Sequence, residues 1–103
     1  MMIRINDLQD PHQASTPLAG AELVDDTGDK RSFLTPQNEF TARLMQAGAS
    51  ASRRFNVAVG DPDAAPEGTA PDVWYGVVEH WQPTGSKLLV TCRQARSVEE
   101  GIH

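Results

Sequence analysis

Asp72 to Arg93 carries both tryptophans, the only tyrosine and the only cysteine of the chain, and its pattern predicts one β-hairpin. The first arm is Val73-Trp74-Tyr75-Gly76-Val77-Val78-Glu79-His80-Trp81. The return arm is Lys87-Leu88-Leu89-Val90-Thr91-Cys92-Arg93, after a turn spanning Gln82 to Ser86. Aromatic residues make up only 6% of the chain, so this concentration marks either the core or a docking face. If Pro83 to Ser86 form a four-residue loop, Trp81 lies opposite Leu88. Val73, Tyr75, Val77 and Trp81 then share a face with Leu88, Val90 and Cys92. A shift of one residue exchanges the faces. Trp74, Val78, Leu88, Val90 and Cys92 become the apolar side with His80 at its edge, and Tyr75, Val77, Glu79, Trp81, Leu89 and Arg93 the amphipathic one. In either register one of the two tryptophans, Trp74 or Trp81, faces away from the core and needs a cover.

The rest of the chain alternates short strands and loops. Residues 1–20, which beyond a short strand at Ile3 to Ile5 hold Asn6, Asp7, Asp10, Pro11, Ser15, Thr16, Pro17 and Gly20 with only Leu8 and Leu18 as sizeable apolar anchors, read as an extended N-terminal arm. Residues 21–93 form a single domain, and 94–103 a charged tail. Ala21–Val24 and Arg31–Leu34 are strands joined by an Asp/Gly turn. Thr35 as N-cap, Pro36 at the first helical position and Glu39 near the positive dipole end predict a helix of about 12 residues stopping at Gly48. Arg53–Val59 alternates like a half-buried strand, with Phe55, Val57 and Val59 on one side. Gly60–Pro71 reads as a proline-rich surface loop. These elements predict an α+β fold with a small, mainly antiparallel sheet of about five strands, β-β-β-α-β-β or β-β-α-β-β-β, and one short helix. The same order permits an OB-like barrel.

At 103 residues the domain buries roughly 65% of its unfolded surface. No run approaches the ~20 apolar residues of a membrane span, and the first residues lack an apolar signal region. With this charge pattern and lone cysteine, the expected setting is cytoplasmic, or virion-associated if the gene belongs to a phage. The formal charge of −5 argues against nucleic acid, because neutralising phosphates requires a basic patch. The counter-case is an OB-like single-strand binder stacking bases on Phe55, Trp74 and Tyr75 beside Arg53 and Arg54.

No catalytic constellation is visible. Cys92 and His80 lie on opposite faces in one register, and about four positions, on the order of 13 Å, apart in the other. The histidines at 12, 80 and 103 have no ligand spacing. The loop from Gly60 to Gly68 lacks the ligand pattern of an EF-hand, and no phosphate-binding glycine loop occurs. No catalytic, cofactor or metal residue is therefore assigned. A small enzyme would need a pocket around Asp61, Asp63, Glu79 or His80.

What remains is a non-enzymatic protein-interaction or assembly module. It would engage another protein or its own copies through Trp74, Tyr75, His80, Trp81, Leu89 and Arg93, and through the N-terminal arm. In size and style this profile is similar to small adaptor and connector proteins of phage particles and phage-encoded inhibitors of host systems. No residue motif carries that similarity.

Overall fold

The computed structural model describes residues 2–9, 16–60, 68 and 73–95. Seven strands form one sheet: β1 (Ile3–Asp7), β2 (Thr16–Pro17), β3 (Glu22–Asp26), β4 (Lys30–Pro36), β5 (Phe55–Val59), β6 (Trp74–Thr84) and β7 (Lys87–Gln94). Their spatial order is β2-β1-β5-β6-β7-β4-β3, and every neighbouring pair is antiparallel. Between β4 and β5 the chain forms α1 (Glu39–Ala47), a 3-10 turn (Gly48–Ser50) and α2 (Ala51–Arg54). The α+β, antiparallel expectation holds. The strand number is seven rather than about five: β1 forms where the short strand at Ile3 to Ile5 was expected, and Thr16–Pro17 adds β2 to the sheet. Only part of the stretch read as an arm lies outside the described residues.

Chain connectivity makes the sheet curl. The edge strands β2 and β3 are separated by five Cα steps, Pro17 to Glu22, which span at most ~18 Å. Six inter-strand gaps in a flat sheet would need about 29 Å. The sheet is therefore a half-barrel whose edges approach one another. Leu18 ties the link down, its N–H donating to the Ile3 carbonyl at 2.9 Å. Gly20 adopts φ +77°, and a Cβ there would lie 3.1 Å from Pro36 Cγ at the end of β4.

The concave face is the core. Ile3 and Ile5, Phe55, Val57 and Val59, Phe33, Leu88, Val90 and Cys92 converge there with Leu44 of α1 and Ala51 of α2. Each large aliphatic or aromatic side chain so buried contributes roughly 1.5–3 kcal/mol. β5 is buried at all five positions, not on one face only as its alternation suggested: Asn56 and Ala58, pointing away from Phe55, Val57 and Val59, are covered as well.

α1 begins later than Thr35 and Pro36 predict. Both belong to β4, where they pair with Leu88 and Lys87. The strand ladder satisfies that backbone, so the N-cap moves to Asn38. The Thr41 N–H donates to Asn38 Oδ1 (3.0 Å), and the Asn38 N–H donates to Thr41 Oγ1 (2.7 Å). This reciprocal pair is a capping box. The helix has nine residues and ends at Gly48 as expected, with φ +55° and its N–H donating to the Leu44 carbonyl.

Neither regular register describes the hairpin. The turn is two residues, Gly85-Ser86, because Thr84 pairs with Lys87, and Pro83 lies in the strand opposite Leu88. Proline is tolerated there because β5 pairs with β6 only from Trp74 to Val77, which leaves the far half of β6 as an edge. A bulge at Glu79 interrupts the ladder between Val78/Cys92 and His80/Thr91. The extra residue restores the phase, so Trp74, Val78 and Trp81 all face the concave side. The expectation that one tryptophan must face outward is overturned by that single residue.

Candidate interaction surface

The six residues predicted to form a contact face divide into two groups. Trp74 is 8% exposed. Its indole N–H donates to the Gly28 carbonyl at 3.0 Å, and the Arg31 guanidinium sits 5.2 Å from the ring centroid. The ring also covers Gly76, where a Cβ would fall inside contact distance of the indole and 2.6 Å from the Arg93 carbonyl oxygen. Trp81 is half-buried against the core. Trp74 and Trp81 are thus concave-face residues.

Tyr75, His80, Leu89 and Arg93 lie on the convex face. Tyr75 pairs with Ala58, His80 with Thr91, and Arg93 with Val77 and Lys30. Leu89 is flanked by Gln82 on β6 and Leu34 on β4. Leu34, Leu89 and Pro36 are half-buried there, while the helices α1 and α2 pack on the other side of the sheet. Ser32 and Thr91 share a hydroxyl hydrogen bond at 3.1 Å, and Lys30 bridges to Glu79 at 3.1 Å. The result is a small apolar centre with a polar margin. Sequence reasoning missed Leu34 and Pro36. Their alternation with Phe33 and Thr35 places them outward, but only the β4–β7 pairing puts them beside Leu89.

The structure also reveals a charged cluster at the other end of the sheet. Asp7, the third inward position of β1 after Ile3 and Ile5, is buried. Arg54 of α2 grips it bidentately, Nε to Oδ1 at 2.8 Å and an Nη to Oδ2 at 2.9 Å. The Gln9 N–H donates to Oδ1 at 3.0 Å, and Arg43 of α1 stands 3.5 Å from Oδ2. The Arg54 hydrogen bonds hold the Asp7 carboxyl below the usual carboxylate value, against the opposing effect of burial. This cluster fastens α2 and α1 to β1. Arg54 is thereby committed to Asp7, while Phe55 and Trp74 are buried. These residues do not form an exposed stacking platform.

Beyond the Phe55 end of β5, the free edge of β6 and the end of α1 border an open hollow of about 340 Å³, lined by Gly48, Ala49, Glu79, His80 and Trp81. Asp61 and Asp63 lie outside the described residues. Cys92 is buried on the concave face and His80 exposed on the convex one, so they do not meet. Burial, and secondarily the Glu79 charge, pushes the Cys92 thiol pKa up. Among the described residues no three His, Cys, Asp or Glu side chains gather as a metal site. Nor is any described helix long and apolar enough to cross a membrane. Comparison with protein-family models, curated proteins and solved structures returned no match.

Proposed function

We propose that this chain is a non-enzymatic protein-interaction module that assembles with another protein, or with its own copies, through the convex face of β4, β7 and β6. The observation that supports this reading is the Leu34–Leu89 cross-strand pair, continued by Pro36 and bordered by Ser32, Thr91, Gln82 and Lys87. An apolar centre within a polar rim is the usual anatomy of a protein interface. The concave face is filled by the chain's own side chains, and the described helices do not pack on the convex face of β4 and β7, whereas Val77, Asn56 and Ala58 on the β5–β6 part of that face are buried. Tyr75 and Arg93, on the same face, are residue types enriched at interfaces.

The test is light scattering and native mass spectrometry on the purified chain, followed by capture from a lysate of the source cells. Leu34→Asp and Leu89→Asp put a charge in the centre of the face while leaving the concave core intact. Loss of self-association or of a captured partner in both variants, with unchanged circular dichroism, supports the reading. A monomer that captures nothing, or binding indifferent to both substitutions, refutes it.

A further inference from the structure

One side of the sheet ends in β3, whose outer edge pairs with no described strand. Such an edge presents unpaired backbone N–H and C=O groups, a template for a further strand. Elsewhere the chain blunts its edges with proline. β2 is two residues long and holds Pro17, and the half of β6 that β5 leaves unpaired holds Pro83. Proline weakens pairing with any incoming strand, because it offers no N–H. The five residues of β3, Glu22-Leu23-Val24-Asp25-Asp26, contain none. Their guard is negative charge, which repels one kind of strand and attracts another.

Cross-strand pairing fixes where that charge points. Glu22 lies opposite Leu34 and Asp25 opposite Ser32, so both carboxylates stand on the convex side. Asp26 is taken by Arg31 at 3.1 Å and by the Gly28 N–H. Glu22 and Asp25 have no ion-pair partner among the described residues. Between them Val24, the unpaired residue of the β3 bulge, is 51% exposed, more than the other exposed large apolar side chains, Met2 and Leu8. A second β3 laid antiparallel with the two Val24 residues opposed would set each Glu22 against the other copy's Asp26. Like charges directly opposite destabilise a sheet, so the edge disfavours its own copy. We infer that the outer edge of β3 receives an extended segment of a different protein, with lysine or arginine side chains facing Glu22 and Asp25 and aliphatic ones between them. This rests on the protein-binding reading above and supplies the chemistry of its partner. The formal charge of −5 adds to the preference for a basic segment. A residue added opposite Glu22 lies about 10 Å from Leu34, two strand spacings away, so the same segment borders the apolar centre.

The experiment is an NMR titration of the ¹⁵N-labelled chain with acetyl-Lys-Val-Lys-Val-Lys-amide. Two control peptides separate charge from strand pairing. One is acetyl-Glu-Val-Glu-Val-Glu-amide; the other is the lysine peptide with its inner backbone nitrogens methylated, which keeps the charge and loses the donors. The lysine peptide should move the amide resonances of Glu22 to Asp26 saturably and slow hydrogen exchange of those that face outward. Glu22→Gln and Asp25→Asn should each weaken binding roughly twofold to fivefold. Equal binding of the acidic or the methylated peptide, insensitivity to both substitutions, or no saturable movement at millimolar peptide overturns the inference. Concentration-dependent shifts of the same amides without peptide would assign the edge to a second copy and overturn it as well. Leu89→Asp should not affect this titration. Failure of the convex face and failure of the β3 edge are thus seen separately.

Discussion

Replacing Asp7 by Asn tests whether the buried carboxylate holds the helical crossover to the sheet. The amide keeps the shape of the side chain and one acceptor oxygen, enough for the Gln9 N–H. It removes the charge and turns an NH₂ group toward donors of Arg54. Removing one partner of a fully buried ion pair costs 3–5 kcal/mol. Here the stranded cations have an escape, since Arg54 is 21% and Arg43 34% exposed while the Asp7 side chain is 2% exposed. Partial hydration of the arginines lowers the expected loss to about 2–3 kcal/mol. For a domain of this size that is roughly 10–20 °C in Tm.

Thermal unfolding by circular dichroism at pH 7 measures it directly. Arg43→Gln is the internal control, because its contact is 3.5 Å and more exposed, and it should cost under about 1 kcal/mol. The pH dependence has a fixed sign. The folded Asp7 pKa lies below its unfolded value, so its stabilisation is fully present above about pH 4 and is lost as pH falls through the folded pKa. Wild type should lose its advantage over Asp7→Asn in that acid range. A Tm change below about 4 °C, or an Arg43→Gln effect as large as that of Asp7→Asn, would refute the assignment of this cluster as the fastening point.

Gly76→Ala should destabilise by roughly 1–3 kcal/mol or more, since a methyl group cannot coexist with the Trp74 ring and the Arg93 carbonyl. A red shift of tryptophan emission in the native variant checks the displaced ring. Cys92 should react with a thiol reagent only as fast as the protein unfolds globally, being buried with a raised pKa; labelling faster than unfolding argues against its burial. Deleting Glu79 removes the unpaired residue and leaves a regular ladder in which Trp74, Val78 and Trp81 stay in phase on the concave side, so tryptophan emission should stay unchanged. A red-shifted emission in that variant would contradict the register.

The strands near the turns were legible because their patterns are local. Ile3 and Ile5, the Asp/Gly turn before Lys30, and Phe55-Val57-Val59 all show period two within five residues. The helix stop at Gly48 was legible for the same reason. Its start was not. Thr35-Pro36 is a good local N-terminus, and only pairing with Leu88 and Lys87, some fifty residues later, claims those residues for β4. Asp7 was half legible: the alternation of Ile3, Ile5 and Asp7 aims it at the core, where a carboxylate needs a cation. That the cation is Arg54 is tertiary information. The bulge was the largest loss. Glu79 already stood out as a charge within an apolar arm, but period two by itself has no means of inserting an unpaired residue.

That one residue changes where the binding reading places the contact. Without the bulge, a tryptophan would be the large group needing a cover, and the contact would centre on β6. With it, both indoles belong to the concave side, and the short link from Pro17 to Glu22 curls the sheet around them. Curling fills the concave face with the chain's own side chains, while on the convex face Leu34, Leu89, Ser32 and Thr91 of β4 and β7 stay only half-buried and Val77 of β6 is buried. On that face the apolar weight shifts one or two strands over, to Leu89 and Leu34, and the bulge itself becomes the charged margin. A contact that used Trp74 as its anchor would have to break the Gly28 hydrogen bond and expose the core. One that uses Leu34 and Leu89 requires neither, which is why charge substitutions at the leucines discriminate the models better than changes at either tryptophan.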